Sequence, residues 1–333
     1  MNKTLQTVLT VLCVLMILAM PLIIPSPKLL ESSIDRILEE MPEDAGEESF
    51  LLDWLFTRAK AEETAYSLPV DLTPGYEPNP ACYTEDGYED DSITVRMETV
   101  EEDGVLYCIA RVTVKSPTQL RTATAGSLKS TKTALMSNIA KKNNAIIAIN
   151  GDNFTREQTK KTYEYRMGQK IRNKTNKVKD ILIIDENGDF HLFVKSDKTK
   201  LSAFEKSGHQ IINAFTFGPA LVIDGVVQKV DTSYSYNPIG KEPRMAIGQT
   251  GPLSYILVMA EGRKKDSEGV SHQVLAEYMG SIGCIQAYNL DGGNSAEMIF
   301  NNAFYGLRTG NERDQSDIIY FSTAVDPVTW KGQ

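Results

Sequence analysis

The chain has 333 residues, of which 41% are hydrophobic and 24% charged, and its formal net charge is −9. This composition is that of an ordinary globular protein, and the length suits one large domain or two small ones. A general nucleic-acid binder needs a basic face to neutralise phosphates, so the acidic balance argues against DNA or RNA as a partner.

The N-terminus carries an uncharged apolar segment, Val8–Ile24. A helix of about 20 residues spans the hydrocarbon core of a bilayer, and the segment is longer than the apolar region of a typical cleaved export signal. We therefore predict one N-terminal transmembrane helix within residues 1–27, as an uncleaved anchor in preference to a cleaved signal. Lys3 and Lys28 flank it almost evenly, so charge does not fix its orientation. The large C-terminal body favours a single-pass cell-membrane protein whose domain is extracytoplasmic.

Residues 28–90 are predicted to form an acidic stalk and a linker, because acidic side chains dominate Glu31–Glu63 and Pro69–Pro80 is rich in proline.

Cysteines are few. A disulfide between two of Cys82, Cys108 and Cys284 is compatible with the sequence, although three thiols make no framework. The sequence has no Cys/His spacing typical of zinc, so neither a zinc site nor a His-based triad is expected.

From about Asp91 the sequence has the alternation of strands, with Asp-Gly and Asn-Gly turns between them and two segments of helical spacing. The predicted strands are 93–100, 105–114, 145–150, 181–185, 190–194, 220–223, 226–227, 245–249, 255–261, 284–290, 296–300 and 318–321, and the predicted helices are 127–143 and 271–282. This pattern predicts an α+β domain over residues 91–327, with a mixed, mainly antiparallel sheet and packed helices.

Three segments place polar side chains where apolar strands end, namely Asn150–Phe154, Pro243–Gly248 and Asn289–Ser295. In the third, an aspartate precedes two adjacent glycines, which permit a close backbone approach and positive φ. Successive N–H groups in such a turn can bind an anion, and the aspartate can act as acid, base or nucleophile. Asp-Gly is also a common hairpin turn, so each segment alone leaves a structural role open.

The motifs follow one another in a defined order. They are INGDNF (149–154), FGPALVIDG (217–225), PRMAIGQ (243–249), EGR (261–263), a helix, and NLDGGNS (289–295). This ordered string, within about Ser92–Thr323, resembles the phosphodiester glycosidase family. The family's last motif is usually closer to LDGGGSS, its EGR equivalent is DGR, and its first turn is closer to NGGYF.

The resemblance implies hydrolysis of a sugar-1-phosphodiester, with cleavage on the sugar side, in cell-envelope or exopolysaccharide metabolism. An oxocarbenium-like transition state calls for a carboxylate near the anomeric carbon. Asp291 is the first candidate, and Asp152 or Glu261 is the second. The phosphate calls for guanidinium groups, for which Arg244 and Arg263 are the candidates.

The other implied contacts are hydrogen bonds to sugar hydroxyls or phosphate oxygens, from Asn150, Gly151, Asn289, Gly292, Gly293, Asn294 and Ser295. A purely structural role in the turns stays open for these residues. No cofactor is expected, because no metal-binding loop of known spacing is present, although a divalent cation stays open where Asp152 and Asp291 converge.

Two interpretations of function remain at this stage. The first is an extracytoplasmic hydrolase, and the second is a non-catalytic module that binds anionic envelope glycopolymers with the same pocket. The basic stretch Arg156–Lys179 is either a solvated loop or a lip that attracts such a polymer. The expected partners are therefore a sugar-phosphate or glycopolymer substrate and, through the N-terminal helix, the membrane.

Overall fold

The computed structural model describes residues 72–128, 130–152, 162–307 and 312–331. The predicted membrane anchor and most of the predicted stalk and linker lie outside these residues. Among the helices that are described, none is both long and apolar enough to cross a membrane. Cys82, Cys108 and Cys284 are all free thiols.

The elements are numbered here in chain order over the described residues. The strands are β1 (Tyr83–Thr84), β2 (Gly87–Glu89), β3 (Ile93–Glu102), β4 (Val105–Val114), β5 (Leu120–Thr124), β6 (Ala134–Leu135), β7 (Ile147–Asn150), β8 (Tyr163–Arg166), β9 (Gln169–Asn173), β10 (Ile181–Asp185), β11 (Phe190–Phe193), β12 (Ile211–Phe215), β13 (Ala220–Ile223), β14 (Val226–Val227), β15 (Arg244–Gly251), β16 (Ser254–Ala260), β17 (Gln286–Asn289), β18 (Met298–Phe300), β19 (Ala303–Phe304), β20 (Asp314–Gln315) and β21 (Asp317–Phe321). The helices are α1 (Met136–Lys142), α2 (Lys198–Lys206), α3 (His272–Ser281) and α4 (Val328–Lys331).

The strands assemble into three main sheets. Sheet A has nine strands in the order β1-β2-β3-β4-β16-β15-β17-β13-β14, sheet B has the order β11-β10-β12-β8-β9, and sheet C has the order β19-β18-β7-β21-β5. Strands β20 and β6 form a separate two-stranded ribbon. Every named strand pair among the described residues is antiparallel. The fold is therefore mostly antiparallel β with few helices, and the predicted mixed sheet of an α+β fold is only partly right.

The predicted hairpins are confirmed, and in two of them the residues of the turn itself adopt the backbone angles that the hairpin needs. The β3–β4 turn places Asp103 and Gly104 at φ +49° and +72°, and the β13–β14 turn places Asp224 and Gly225 at φ +49° and +71°. These are the backbone angles that a two-residue hairpin with matching twist requires, and glycine and aspartate adopt them at low cost. The hairpins β10–β11 and β15–β16 also form as predicted.

Helix α3 confirms the second predicted helix and shows why it starts and stops where it does. The Ser271 side chain accepts a hydrogen bond from the Val274 amide at the N-terminus, which satisfies a donor that the helix itself leaves unpaired. At the other end Gly283 has φ +90°, the conformation that terminates many helices. The buried face of α3, including Leu275 and Met279, packs on sheet A.

The first predicted helix is shorter than expected. Only α1, Met136–Lys142, is helical, and Ala134–Leu135 forms β6 instead. The segment before it is rich in serine, threonine and lysine, and a residue pattern without an apolar stripe gives no buried face for a helix to pack. Helix α1 packs its own apolar residues, Met136 and Ile139, against sheet C.

One apolar core joins the three sheets. It includes Met245 and Leu257 of sheet A, Phe215 of sheet B, and Ile149 and Ile319 of sheet C, all of them almost fully buried. Burying a large aliphatic or aromatic side chain stabilises a fold by roughly 1.5–3 kcal/mol. Because the core continues to the ends of β7, β15 and β17, the polar residues that follow these strands are held on a rigid base.

Candidate functional site

The three predicted polar segments meet at one place. Strands β15 and β17 are paired, with Ala246 opposite Asn289. The Asn150 side-chain amide donates to the Asp291 carbonyl at 2.8 Å, and the Gly293 amide donates to the Pro243 carbonyl at 2.8 Å. The ends of β7 and β17 and the start of β15 therefore converge, although their sequence separation is large.

The Asn150 side chain joins the end of β7 to the segment that carries Asp291. It is fully buried, and Nδ2 donates to the carbonyls of Gly151 (3.0 Å) and Asp291 (2.8 Å). Its Oδ1 accepts from the Glu297 amide at 3.2 Å. All its polar atoms are thus used within the protein, so Asn150 fixes the loop that carries Asp291. The predicted contact between Asn150 and substrate is not needed to account for the residue.

Asn289 plays a similar role on the neighbouring strand. It is fully buried, and its Nδ2 donates to the carbonyls of Gly218 (2.8 Å) and Leu290 (2.9 Å). It therefore ties the end of β17 to the segment that precedes β13.

The two glycines after Asp291 allow a close approach of two chain segments. A Cβ on Gly292 would lie 2.7 Å from the Pro243 carbonyl oxygen, and Gly293 has φ +61°. Both N–H groups donate within the protein. That of Gly292 donates to Asp291 Oδ1 at 3.0 Å, and that of Gly293 donates to the Pro243 carbonyl. In this structure the pair serves to orient the aspartate, and the two N–H groups do not point into open space as an anion site would require.

Asp291 itself is half-buried, with one carboxylate oxygen held by the Gly292 amide. Burial raises the pKa of Asp291, and the hydrogen bond from Ser295 and the charge of Arg313 oppose that rise. Ser295 is buried, and its hydroxyl accepts from Arg313 Nη1 at 3.0 Å. An oriented and partly accessible carboxylate of this kind can stabilise positive charge or attack a carbon centre.

Both carboxylate oxygens of Asp152 accept hydrogen bonds within the protein. Its Oδ1 accepts from Arg166 Nη2 at 2.7 Å, and its Oδ2 accepts from the Thr216 amide at 2.9 Å. Its negative charge raises the pKa of Asp291. With both oxygens occupied, Asp152 is placed to influence Asp291 through charge, and its direct contact with substrate stays a prediction.

Arg166 is the centre of a buried ion cluster that the sequence did not reveal. Its side chain is 1% exposed, its Nε donates to Asp317 Oδ2 at 2.8 Å, and its guanidinium lies 4.2 Å from the centroid of the Phe215 ring. A Cβ on Gly151 would lie 2.6 Å from the Asp317 carboxylate, so only glycine fits at that point of the predicted motif. The cluster therefore sets the shape of the Asn150–Asp152 turn.

The cluster extends along the β8–β9 hairpin. Glu164 pairs with Arg172, and both side chains are buried. Burial raises the pKa of Glu164 and also that of Asp317. The basic stretch was predicted to be a solvated loop or an exposed lip. That prediction is wrong for Arg166, Arg172 and Lys179, because all three are buried.

Arg244 is also buried, and it holds a loop together. Its five N–H groups donate to the carbonyls of Tyr236, Asn237, Gly240 and Val270 and to His272 Nε2. Burial lowers the pKa of Arg244 to about 10. To bind a phosphate in a bidentate manner it would have to release two of these bonds, so its predicted contact with phosphate stays a prediction.

Arg263 lies partly exposed at the edge of the Asp291 turn, and its contact with phosphate stays a prediction. Its Nε donates to Glu242 Oε2 at 2.6 Å and its Nη1 to Asn294 Oδ1 at 2.8 Å, and its side chain is 48% exposed. A Cβ on Gly293 would lie 3.3 Å from Nη2. The guanidinium therefore borders the Asp291 turn with Nη2 unpaired among the described residues.

Glu261 is not joined to this hydrogen-bonded site. It is buried, which raises its pKa, and its Oε1 accepts from the Leu307 amide at 2.6 Å. Its Oε2 lies 3.9 Å from Lys264 Nζ. None of these partners belongs to the Asp291 turn, and a catalytic role for Glu261 stays a prediction without a supporting contact.

Two further residues near Arg244 were missed by the sequence. His272 is fully buried, and its Nε2 accepts from Arg244 Nη1 at 2.8 Å, which places the ring proton on Nδ1. Lys179 Nζ lies 3.9 Å from the Tyr236 ring centroid, and that ring stacks on Phe217 at 4.5 Å. A lone histidine at a helix start and a lysine in a basic run carry no sequence signal for such contacts.

We predict that His272 makes the protein acid-sensitive. Burial, Arg244 and Lys179 lower the pKa of His272 from 6.5 to about 3. The unfolded chain therefore binds a proton that folded His272 excludes, and stability falls as pH drops from 6.5 towards 3. The shift corresponds to up to about 5 kcal/mol. Urea unfolding of the wild type and of His272→Gln across this range measures the effect.

The comparison with His272→Gln is needed because the raised pKa values of Glu164 and Asp317 act in the opposite direction. Those two carboxyls titrate in both proteins, whereas residue 272 titrates only in the wild type. We expect the difference in the free energy of unfolding to change in favour of the variant as pH falls. Parallel pH profiles for the two proteins would contradict this prediction.

A family model described as phosphodiester glycosidase matches residues 143–322, which is more than half of the 333-residue chain. The chain belongs to the phosphodiester glycosidase family. The resemblance predicted from the ordered motifs is thereby confirmed. Every predicted site residue, from Asn150 to Ser295, lies within the matched range.

One solved structure shares the fold. The catalytic domain of zebrafish N-acetylglucosamine-1-phosphodiester alpha-N-acetylglucosaminidase, auto-inhibited by its pro-peptide, superposes with a TM-score of 0.55 at 14% identity, over 79% of this chain and 92% of that one. At this identity the likeness shows the fold alone. A hypothetical protein from Synechocystis gives a TM-score of 0.48 at 15% identity, over 69% of this chain and 62% of that one.

One similar protein was found by sequence in Bacillus subtilis (strain 168). It is the SPbeta prophage-derived uncharacterized protein YomE, 30% identical over 115 residues. The match covers 34% of this chain and 18% of that protein. The chain therefore spans less than a fifth of that relative's length.

Proposed function

We propose that this phosphodiester glycosidase-family protein hydrolyses the glycosidic bond of a sugar-1-phosphodiester. The observation that carries the proposal is the half-buried, oriented Asp291 carboxylate beside the partly exposed Arg263 guanidinium. The two groups border the same turn, since Arg263 donates to Asn294. A carboxylate for the sugar and a cation for the phosphate are the two groups that this reaction needs.

Asp291 acts at the anomeric carbon. As the bond to the phosphate oxygen breaks, positive charge develops on the sugar ring, and a nearby carboxylate stabilises it or forms a bond to the carbon. The hydrogen bond from the Gly292 amide holds one oxygen in place, which limits the reorganisation needed in the transition state. The ionised form is required, so activity should fall as pH drops through the raised pKa of Asp291.

A single essential carboxylate suits this leaving group. A phosphodiester leaves as a stabilised anion, so protonation by a strong general acid contributes less than it does for an ordinary glycoside. The structure supports this view, because both oxygens of Asp152 are already bonded to Arg166 and to the Thr216 amide. Arg263 would neutralise the departing phosphate by charge-assisted hydrogen bonds.

The proposal is tested by incubating the full chain with a panel of sugar-1-phosphodiesters and measuring free reducing sugar. The matching sugar-1-phosphate monoesters and neutral O-glycosides serve as controls for selectivity. We expect release from at least one diester, and slower release from its neutral O-glycoside. No release across the panel, combined with retained binding of anionic glycopolymers, would favour the non-catalytic binding module.

We predict that Arg263→Gln lowers kcat/KM by about 10–100-fold, because a hydrogen bond to a charged group is worth roughly 1.5–3 kcal/mol. Arg96→Gln is the matched control, since Arg96 is a half-exposed arginine paired with Glu89 on sheet A. That exposed pair contributes little, and the control should retain wild-type kinetics. Equal kcat/KM in the wild type and Arg263→Gln would remove Arg263 from the phosphate role.

The proposed setting is the extracytoplasmic face of a cell membrane, with a cell-envelope or exopolysaccharide substrate. Its support is the apolar segment Val8–Ile24 in the sequence, which lies outside the described residues. Protease treatment of intact cells, followed by detection of the domain, tests the location. Degradation of the domain in intact cells agrees with it, and protection until the membrane is opened contradicts it.

A further inference from the structure

A second group of ligating side chains lies at one edge of sheet B. Asp185 ends β10, Glu186 begins the turn to β11, and His209 precedes β12. Strand β10 pairs with β12, with Asp185 opposite Ile211, and this pairing brings residue 209 to the turn. One ligand atom from each of the three side chains lies within 4.8 Å of the others.

Two of the separations between these atoms match those of neighbouring metal ligands. His209 Nδ1 is 3.3 Å from Asp185 Oδ2 and 3.2 Å from Glu186 Oε1. Zinc binds nitrogen and oxygen ligands at about 2.0–2.1 Å in a tetrahedral arrangement, which places neighbouring ligand atoms roughly 3.3–3.4 Å apart. The two measured distances are therefore close to two edges of such a tetrahedron.

Backbone amides fix the orientation of both carboxylates. Asp185 Oδ1 accepts from the amides of Asn187 and Asp189, each at 2.9 Å, and Glu186 Oε2 accepts from the Gln210 amide at 2.7 Å. One oxygen of each carboxylate is thus held by backbone amides, and the other oxygen faces His209. Outer hydrogen bonds of this kind are what position ligands in metal sites.

The histidine rings are fixed in the same way. The Phe204 ring stacks on His209 at 5.4 Å with an interplanar angle of 7°, and it also packs at 4.6 Å on His191. His191 Nε2 donates to Asp185 Oδ2 at 2.9 Å, because a carboxylate can only accept. The side chains of His209 and Glu186 are 25% and 19% exposed, so an ion can reach them from solvent.

We propose that Asp185, Glu186 and His209 bind one divalent transition-metal ion of the zinc type. Two carboxylates balance the charge of the ion, and an imidazole ligand favours such metals over Mg²⁺ or Ca²⁺, which prefer oxygen alone. Water completes the coordination, and His191 holds Asp185 Oδ2 from outside the site. The site shares no residue with the Asp291 turn, so it is independent of the proposed hydrolysis, and its role is to tie the β10–β11 turn to β12.

The test is a calorimetric titration of the chelator-treated full chain with Zn²⁺, for the wild type, His209→Gln and Glu186→Gln. Glu268→Gln, at an exposed glutamate paired with Lys241, is the matched control. We expect one Zn²⁺ per chain in the wild type and the control, with affinity at least about tenfold weaker in both ligand variants. Any zinc bound by the free thiols is present in all four proteins and cancels in the comparison.

Thermal unfolding gives a second readout. Zn²⁺ should raise the unfolding temperature of the wild type and the control, because an ion that binds only the folded state stabilises it. It should leave the unfolding temperatures of the two ligand variants nearly unchanged, and Mg²⁺ should have little effect on any protein. Equal Zn²⁺ binding and equal shifts in all four proteins, or no binding at all, would overturn the proposal and leave a simple His209–carboxylate ion pair.

Discussion

Asp291→Asn is expected to lower kcat on a sugar-1-phosphodiester by about 10²–10³-fold, the usual loss when a preorganised group that stabilises transition-state charge is removed. The change removes the negative charge that stabilises the sugar cation and keeps the size of the side chain. The asparagine Oδ1 can still accept the hydrogen bond from the Gly292 amide, which Asp291 accepts at 3.0 Å. The turn should therefore keep its shape, and steady-state kinetics should report the lost charge alone.

The control for this variant is Asp314→Asn, at an exposed aspartate on β20. Both variants should keep the circular dichroism spectrum and the unfolding temperature of the wild type, and Asp314→Asn should keep its activity. Binding of substrate by Asp291→Asn should change less than kcat, because the carboxylate acts mainly in the transition state. Turnover by Asp291→Asn within a few-fold of the wild type would mean that another group carries the reaction.

Arg166→Met is expected to reduce the free energy of unfolding by roughly 3–5 kcal/mol, since removing one partner of a buried ion pair leaves an uncompensated charge. Arg166 contacts Asp152 and Asp317 at 2.7 Å, and all three side chains are 1% exposed. Methionine fills much of the volume, so the loss arises from the two carboxylates and less from a cavity. Urea unfolding at neutral pH measures it.

The pH dependence separates charge from packing in this variant. Without the guanidinium, which lowers the pKa of Asp317, that pKa rises further, and a protonated carboxyl tolerates burial. The deficit of Arg166→Met should therefore be largest at alkaline pH and smaller at about pH 5. Arg96→Met, which breaks the half-exposed pair with Glu89, should lose only about 0–1 kcal/mol. An equally small and pH-independent loss for Arg166→Met would contradict the account of the cluster.

The parts of the fold that could be predicted from the sequence depend on neighbouring residues. The Asp103-Gly104 and Asp224-Gly225 turns specify their hairpins because few other residues adopt the required φ. The Ser271 cap and Gly283 similarly mark the ends of α3. The arrangement of the strands into three sheets depends on contacts far apart in the chain, and no local pattern encodes it.

The missed hairpin β8–β9 shows the limit most clearly. Every residue of Tyr163–Arg166 is buried, yet the segment contains two charged residues and lies in a basic stretch, which is typical of a solvated loop. The charges are tolerated because Glu164 pairs with Arg172 and Arg166 pairs with two acidic residues that are distant in the sequence or lie outside the hairpin. One of these, Asp317, begins β21, about 150 residues further along the chain. Such pairing has no signature in one sequence.

The position of the candidate site could be predicted from its motifs, whereas the role of each residue could not be predicted. Sequence order identified the turns around Asn150, Arg244 and Asp291, and the structure brings all three together. The structure also shows that the Asn150 and Arg244 side chains are held within the protein, since every polar group of these two side chains is already hydrogen-bonded. Arg263 is the predicted arginine that borders the Asp291 turn and stays partly exposed.

The most direct test of the central claim is to carry out the hydrolysis in H₂¹⁸O and to locate the label by mass spectrometry. Attack at the anomeric carbon breaks the bond between sugar and oxygen, so the account predicts heavy oxygen in the anomeric hydroxyl of the released sugar and none in the phosphate monoester. Label in the phosphate, with unlabelled sugar, would show attack at phosphorus and would contradict the assignment of Asp291 to the sugar.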